Sequence, residues 1–190
     1  MYRFFVFAIV KSMKQTPPLH REAFTASPEA GVLFVDLDDT LLNGTASLMT
    51  DEEIMTAPLI QRTVNAIMRA KSLGIPVVMA SRNSLNQLHR VLALRPDIDA
   101  LFDDILSCLG LKSDPMNDWM GKKGIRSESA LFIDNDTSEL KDVEENVAGA
   151  TLVDATDTGE IQFNKKEEKP TEIAEGFRYR TNRSLLLQAA

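Results

Sequence analysis

An α/β fold built on a doubly wound parallel sheet of about five strands follows from three observations. Short apolar runs alternate with amphipathic helical stretches from residue 32 to residue 153, the pattern of a parallel sheet with right-handed crossovers. The runs lack the polar–apolar alternation of a half-exposed strand, so both of their faces are buried. Acids, a serine and a lysine recur at or just past the ends of these runs, where open parallel sheets place their ligands.

Each element has its own signal. The first strand, residues 32–35, runs straight into Asp36, Asp38 and Asp39. Asn43-Gly44 is a tight-turn pair, predicting a small hairpin over residues 41–49 that hangs above the acids. Residues 58–73 read as a helix with Pro58 in its first turn, an apolar stripe of Ile60, Val64, Ile67 and Met68, and Gly74 as its stop. Residues 75–80 form the second strand and lead to Ser81, Arg82 and Asn83. Leu85, Leu88 and Leu92 mark a second helix that ends before Pro96. Residues 105–108 are a third strand, with Lys112 shortly after. Asp114-Pro115 starts the next helix, Met116, Trp119 and Met120 are its apolar face, and Gly121 and Gly124 end it. Residues 130–133 are a fourth strand, ending at Asp134, Asn135 and Asp136. Leu140, Val143 and Val147 share one face of the following helix, Gly149 closes it, and residues 151–153 are a fifth strand.

This pattern bounds one domain over residues 31–155, between an N-terminal extension over 1–30 and a C-terminal extension over 156–190. The apolar run in MYRFFVFAIV is too short to span a bilayer. Lys11 and Lys14 follow it without a small-residue cleavage site, so it reads as an added strand or packing patch rather than a secretion signal. Residues 11–30, with Pro17, Pro18 and Pro28, read as a linker. The charge run 165–169 reads as solvated or loose, and Leu185 to Leu187 as the cap of a last helix. A net charge of −7 without a basic run argues against non-specific nucleic-acid binding. Cys108 is the single cysteine, which excludes an internal disulfide and a cysteine-rich metal site and makes the reducing cytoplasm the default.

Asp36, Ser81, Lys112 and Asp134 each stand at or past the carboxyl end of a strand, so one sheet edge collects them. Crowded carboxylates repel one another and call for a positive partner, most simply Mg²⁺. A nucleophile, a metal and donors around the equatorial oxygens are what phosphoryl transfer requires. Taken singly, each residue has a plainer reading. Ser81 would be a turn residue and Lys112 a solvated lysine, with Lys122 and Lys123 as rivals; Asp134 and Asp136 would be helix caps. Thr40 is placed to tie the acidic turn to its own backbone. His20 and His89 lie outside the site, and Cys108 reads as core.

Asp36-Leu37-Asp38-Asp39-Thr40 after an apolar strand resembles the first motif of the haloacid dehalogenase superfamily of phosphotransferases. The resemblance covers residues 32–153 and implies a Rossmann-like three-layer sandwich. It implies Asp36 as nucleophile, Asp38 as acid/base, Ser81 and Lys112 as phosphoryl-binding and charge-stabilising groups, and Mg²⁺ held by Asp36, Asp134 and the backbone carbonyl of Asp38. The spacings from Asp36 to Ser81 and from Ser81 to Lys112 leave no room for an inserted domain, so no large cap is expected. An open site of this kind admits a phosphate carried on a macromolecule. Ala80-Ser81-Arg82-Asn83 and Phe132-Ile133-Asp134-Asn135 resemble segments of the capless magnesium-dependent phosphatase branch, which acts on phosphotyrosine and some sugar phosphates. FIDNDTSELKDV is also similar to a segment of a sister branch that loads glyceryl groups in polyketide synthesis, where Glu139 would match. Asn83 and Asn135 depart from the pattern, the latter standing where many relatives carry Asp, with Asp136 or Glu139 as substitutes. The implied function is a phosphomonoesterase acting on a phosphorylated partner, a phosphoprotein or a sugar phosphate. A non-hydrolytic module that binds a phosphorylated partner or an acyl group is the other reading. A receiver domain is disfavoured because its phosphorylated Asp belongs to the third strand. No glycine-rich loop implies a nucleotide cofactor.

Overall fold

Alternate positions of the buried strands face opposite sides of the sheet, and this splits the apolar residues into two cores. Leu33, Val35, Val77, Met79, Leu131 and Ile133 face one side with Ile54, Ile67, Leu88 and Val91. Val32, Phe34, Val78, Ala80 and Phe132 face the other with Met116, Trp119, Met120, Val143 and Val147. A three-layer sandwich results.

The computed structural model describes residues 30–157 and two short outlying strands. In chain order the elements are β1 (Thr25–Ala26), β2 (Val32–Val35), α1 (Asp51–Thr56), α2 (Gln61–Ser72), β3 (Val77–Ser81), α3 (Leu85–Leu94), α4 (Pro96–Asp99), β4 (Asp104–Ser107), α5 (Ser113–Lys123), β5 (Ala130–Asp134), α6 (Thr137–Asn146), β6 (Thr151–Asp154) and β7 (Gln162–Phe163). The main sheet has five strands in the order β4-β3-β2-β5-β6, and every neighbouring pair is parallel. The connections between β2 and β6 carry only helices and short loops, so no inserted domain covers the sheet edge. Among the described residues no helix is long and apolar enough to cross a membrane.

Several elements differ from the expectation, each for a local reason. The hairpin over residues 41–49 does not form. Leu42 pairs instead with Leu59 in an antiparallel bridge, and Ile60 N–H donates to the Leu41 carbonyl at 2.8 Å. The chain between these arms holds a 3-10 turn, Ala46–Leu48, and helix α1, which opens on a Thr50–Glu53 capping box. Because residues 58–60 are spent on this pairing, α2 begins at Gln61 rather than Pro58. Pro76 has no N–H to give a ladder, so β3 starts at Val77 and extends to include Ser81. Residues 96–99, past the expected stop of the second helix, form α4 with Pro96 at its first position. Helix α5 starts at Ser113, before the expected Asp114 cap, and runs through Gly121 to end at Gly124, which takes a left-handed conformation with φ 67°. The parallel pairing of β1 with β7 joins a piece of the expected linker to a piece of the expected C-terminal extension, and Phe163 is buried against the first core. The remaining expectations for residues 1–29 and beyond 157, His20, the charge run and the final helix included, lie outside the described residues.

Phe34 on the central strand is fully buried and meets Trp119 edge-on, with ring centroids 5.7 Å apart. Phe34→Ala is expected to cost about 3–5 kcal/mol, the usual loss for a buried aromatic. Urea unfolding followed by tryptophan fluorescence measures it, and a loss under about 1 kcal/mol would contradict this packing.

Candidate active site

The strand order reverses direction at β2, since β3 and β4 lie to one side of it and β5 and β6 to the other. Parallel sheets open a crevice at such a point. Val35 is opposite Ile133 in the register, so the next residues, Asp36 and Asp134, emerge side by side. The chain then turns sharply at Asp39, whose φ of 51° lies in the left-handed region that Asp tolerates. Asp39 accepts a hydrogen bond from Gly44 N–H at 2.8 Å, which holds the turn.

Lys112 Nζ lies between the two carboxylates, donating to Asp36 Oδ1 at 2.7 Å and to Asp134 Oδ2 at 2.6 Å. The carboxylates are therefore no farther apart than those two bonds laid end to end. All three groups are buried, Lys112 to 2% exposure and Asp134 to 1%. Burial pushes the Asp36 carboxyl up to about 7 against the pull of Lys112, and the neighbouring charges of Asp134 and Asp38 add to the rise. Burial likewise raises Asp134, again opposed by Lys112. For Lys112 burial works against the charge, but the two carboxylates outweigh it and hold the ammonium above its ordinary value. One ammonium thus does not satisfy both acids.

Asp38 faces elsewhere. Its Oδ1 accepts from Ala46 N–H at 2.9 Å and its Oδ2 from Asn83 Nδ2 at 2.8 Å. Ser81, 1% exposed, accepts from the same Asn83 through both its backbone N–H and its Nδ2. The structure so gathers the five expected residues into two linked groups: Asp36, Lys112 and Asp134 in one, Asp38 and Ser81 joined by Asn83 in the other.

The neighbouring residues resolve the open alternatives. Thr40 does not tie its own turn; its hydroxyl donates to Asn135 Oδ1 at 2.9 Å and accepts from Asn135 N–H at 3.0 Å. Asn135 is thereby a stitch between β2 and β5. Asp136 caps α6 by accepting from Ser138 N–H, while Glu139 pairs with Arg82 at 2.8 Å. The rivals of Lys112 are engaged at the far end of α5, Lys122 with Asp118 and Lys123 over the Trp119 ring. His89 is exposed on α3. The Cys108 thiol is buried and pushed up to about 11 by that burial, an unreactive core group. Two carboxylates and one ammonium leave the first group one negative charge in excess, and its acceptors are all oxygen. That donor set fits a hard divalent cation. Among the described residues no three His, Cys, Asp or Glu side chains form a ready cage, so a cation would draw on Asp36, Asp134 and backbone oxygen.

No protein-family model matches the sequence, and no curated protein does. Solved structures do match. The N-terminal part of a Bacteroides fragilis protein containing a phosphatase domain, complexed with Mg, is 19% identical with TM-score 0.56, the match covering 67% of this chain and 36% of that one. A HAD-superfamily hydrolase from Ehrlichia chaffeensis is 11% identical with TM-score 0.51, over 67% and 88% of the two chains. A HAD family hydrolase from Deinococcus radiodurans with bound phosphate and sodium is 12% identical with TM-score 0.52, over 66% and 80%. The chain has the haloacid dehalogenase fold. Within that fold, sequence reasoning missed the work of Asn83, which shows only as a departure from a motif. It also missed Ser113 and Asp142, buried partners that pin the start of α5 to α6 through bonds of 3.0 and 2.8 Å. A serine beside a helix start was the one visible hint of the latter.

Because the folded state holds Asp36 near 7 against an ordinary 3.8, its stabilising contribution is present below the ordinary value and is lost as pH rises through 7. Asp36→Asn mimics the protonated form. In chelator-treated samples that variant is expected to melt above the wild type at pH 8, and the gap is expected to narrow at pH 5. A variant that melts lower at pH 8 would contradict the assignment.

Proposed function

We propose that the chain is a Mg²⁺-dependent phosphomonoesterase that works through an aspartyl-phosphate on Asp36. The observation that carries the proposal is the buried carboxylate–ammonium–carboxylate cluster at the sheet's switch point, one positive charge short of neutrality. Similarity to a Mg-complexed phosphatase domain and to a hydrolase with bound phosphate and sodium points the same way. Asp36 and Asp134, with the backbone carbonyl of Asp38, would hold the metal. When bound, Mg²⁺ supplies charge neutralisation for the phosphoryl oxygens.

The chain's own groups divide the rest of the work. An Asp36 oxygen attacks phosphorus as the ester P–O bond breaks, giving an acyl phosphate. Asp38 passes a proton to the departing oxygen, then takes one from the water that attacks the acyl phosphate. Inorganic phosphate leaves and the Asp36 carboxylate is restored. Ser81 donates its hydroxyl to a phosphoryl oxygen, and Lys112 opposes the charge that gathers there. With no inserted domain over the edge, the site suits a phosphate borne on a protein, phosphotyrosine included; a sugar phosphate is the alternative substrate.

Release of phosphate from 4-nitrophenyl phosphate tests the reading. Activity is expected with Mg²⁺, loss of it with EDTA, and a fall of at least about 10³-fold in kcat for Asp36→Asn. Equal rates in all three samples would end the proposal. Phosphate-analogue binding without turnover would favour the non-hydrolytic module, and a panel of phosphopeptides and phosphosugars ranks the substrates.

A further inference from the structure

Asn83 is buried to 6% exposure, and its side-chain NH2, backbone N–H and backbone carbonyl are all committed. Its Nδ2 donates to Asp38 Oδ2 at 2.8 Å and to Ser81 Oγ at 3.1 Å. Its backbone N–H also reaches Ser81 Oγ, at 3.3 Å. Its carbonyl accepts from Ser107 Oγ at 2.9 Å, which fastens it to the end of the neighbouring strand β4. The amide orientation is chemically determined: turned over, its oxygen would face a carboxylate that can only accept. We infer that Asn83 is a positioning residue for both halves of the phosphoryl-transfer machinery, fixing the Asp38 carboxylate and setting the direction of the Ser81 hydroxyl. This inference rests on the phosphomonoesterase reading.

The reasoning is one of hydrogen-bond capacity. A serine hydroxyl carries one proton and two lone pairs. Two Asn83 N–H groups occupy the lone pairs of Ser81, so its proton is left to donate, the polarity an anionic phosphoryl group needs. Asp38 is held at one oxygen by Ala46 N–H, from the loop that follows the acidic turn, and at the other by Asn83. Without the second hold, its carboxylate can swing about the first. Asn83 thus ties three strand ends, those of β2, β3 and β4, into one arrangement. An aliphatic side chain of the same size would leave Asp38 and Ser81 with unmet acceptors, and an Asp there would repel Asp38 and capture the Ser81 proton.

Leaving-group chemistry separates positioning from damage. A 4-nitrophenolate departs without a proton, whereas the alkoxide of a phosphoserine peptide needs one from Asp38. In the full chain, Asn83→Leu is expected to lower kcat/KM, which reports the leaving-group step alone, about 10²-fold on the phosphoserine peptide and about tenfold on 4-nitrophenyl phosphate. The resulting drop in the alkyl-to-aryl ratio is expected to vanish in an Asp38→Asn background, since the two changes then act on one lost function. The isosteric Asn83→Asp is expected to lower the same ratio and supplies the measurement if the leucine variant does not fold. An equal loss on both substrates, or a ratio drop that persists in the Asp38→Asn background, overturns the inference. If the wild type releases no phosphate from either substrate, the phosphatase reading has failed on its own. The crystal structure of Asn83→Asp then decides the positioning: an Asp38 carboxylate swung away from residue 83 about its bond to Ala46 N–H upholds it, and an unmoved Asp38 overturns it.

Discussion

The ammonium of Lys112 between Asp36 and Asp134 is the interaction on which the rest of the structure depends. Each of these charges is costly to bury, by several kcal/mol after relaxation. They recover it through two short charge-assisted bonds and, for Lys112, a place 5.5 Å from the Phe132 ring centroid. The recovery is incomplete, as the raised carboxyls of Asp36 and Asp134 record. A site in this condition is poised to take up positive charge. Strain of this electrostatic kind is the usual cost of a preorganised centre.

The fold supplies the three groups from separate elements. Asp36 and Asp134 come from adjacent parallel strands in a shared register. Lys112 arrives from the far side of the sheet at the start of α5, where Ser113 donates to Asp142 on α6 through both its N–H and its hydroxyl. Asn146 donates to the same carboxylate, so the anchor is itself held. The reciprocal pair of bonds between Thr40 and Asn135 then locks the turn after β2 to the turn after β5. Thr63 closes on the Thr40 carbonyl at 2.6 Å from α2. Helices from both layers therefore constrain one cluster at the sheet edge.

Much of this was legible in the sequence because buried parallel strands have a simple signature. Val32–Val35 and Ala130–Asp134 are uninterrupted apolar runs ending in acids, and strand-end placement alone brought Asp36, Ser81, Lys112 and Asp134 to one edge. What escaped was long-range or positional. Asn83 and Ser107 meet across two strand ends, and no local pattern encodes that bond. Asn43-Gly44 does turn the chain, but the residue that pairs with Leu42 is Leu59, beyond α1, so a local turn signal points to the wrong partner. The sequence suggests a bond from Thr40 to its own backbone, whereas its partner, Asn135, is 95 residues away.

The most direct test of this account compares the melting of Lys112→Met with that of the wild type and of the exposed Lys122→Met, each with and without Mg²⁺. Removing Lys112 leaves two facing carboxylates unpaired, a loss of about 3–5 kcal/mol by the usual cost of breaking a buried pair. The account predicts a large fall in melting temperature for Lys112→Met without the metal, and a larger Mg²⁺-induced recovery than the wild type shows. A variant that melts like Lys122→Met, with no added response to Mg²⁺, would contradict it.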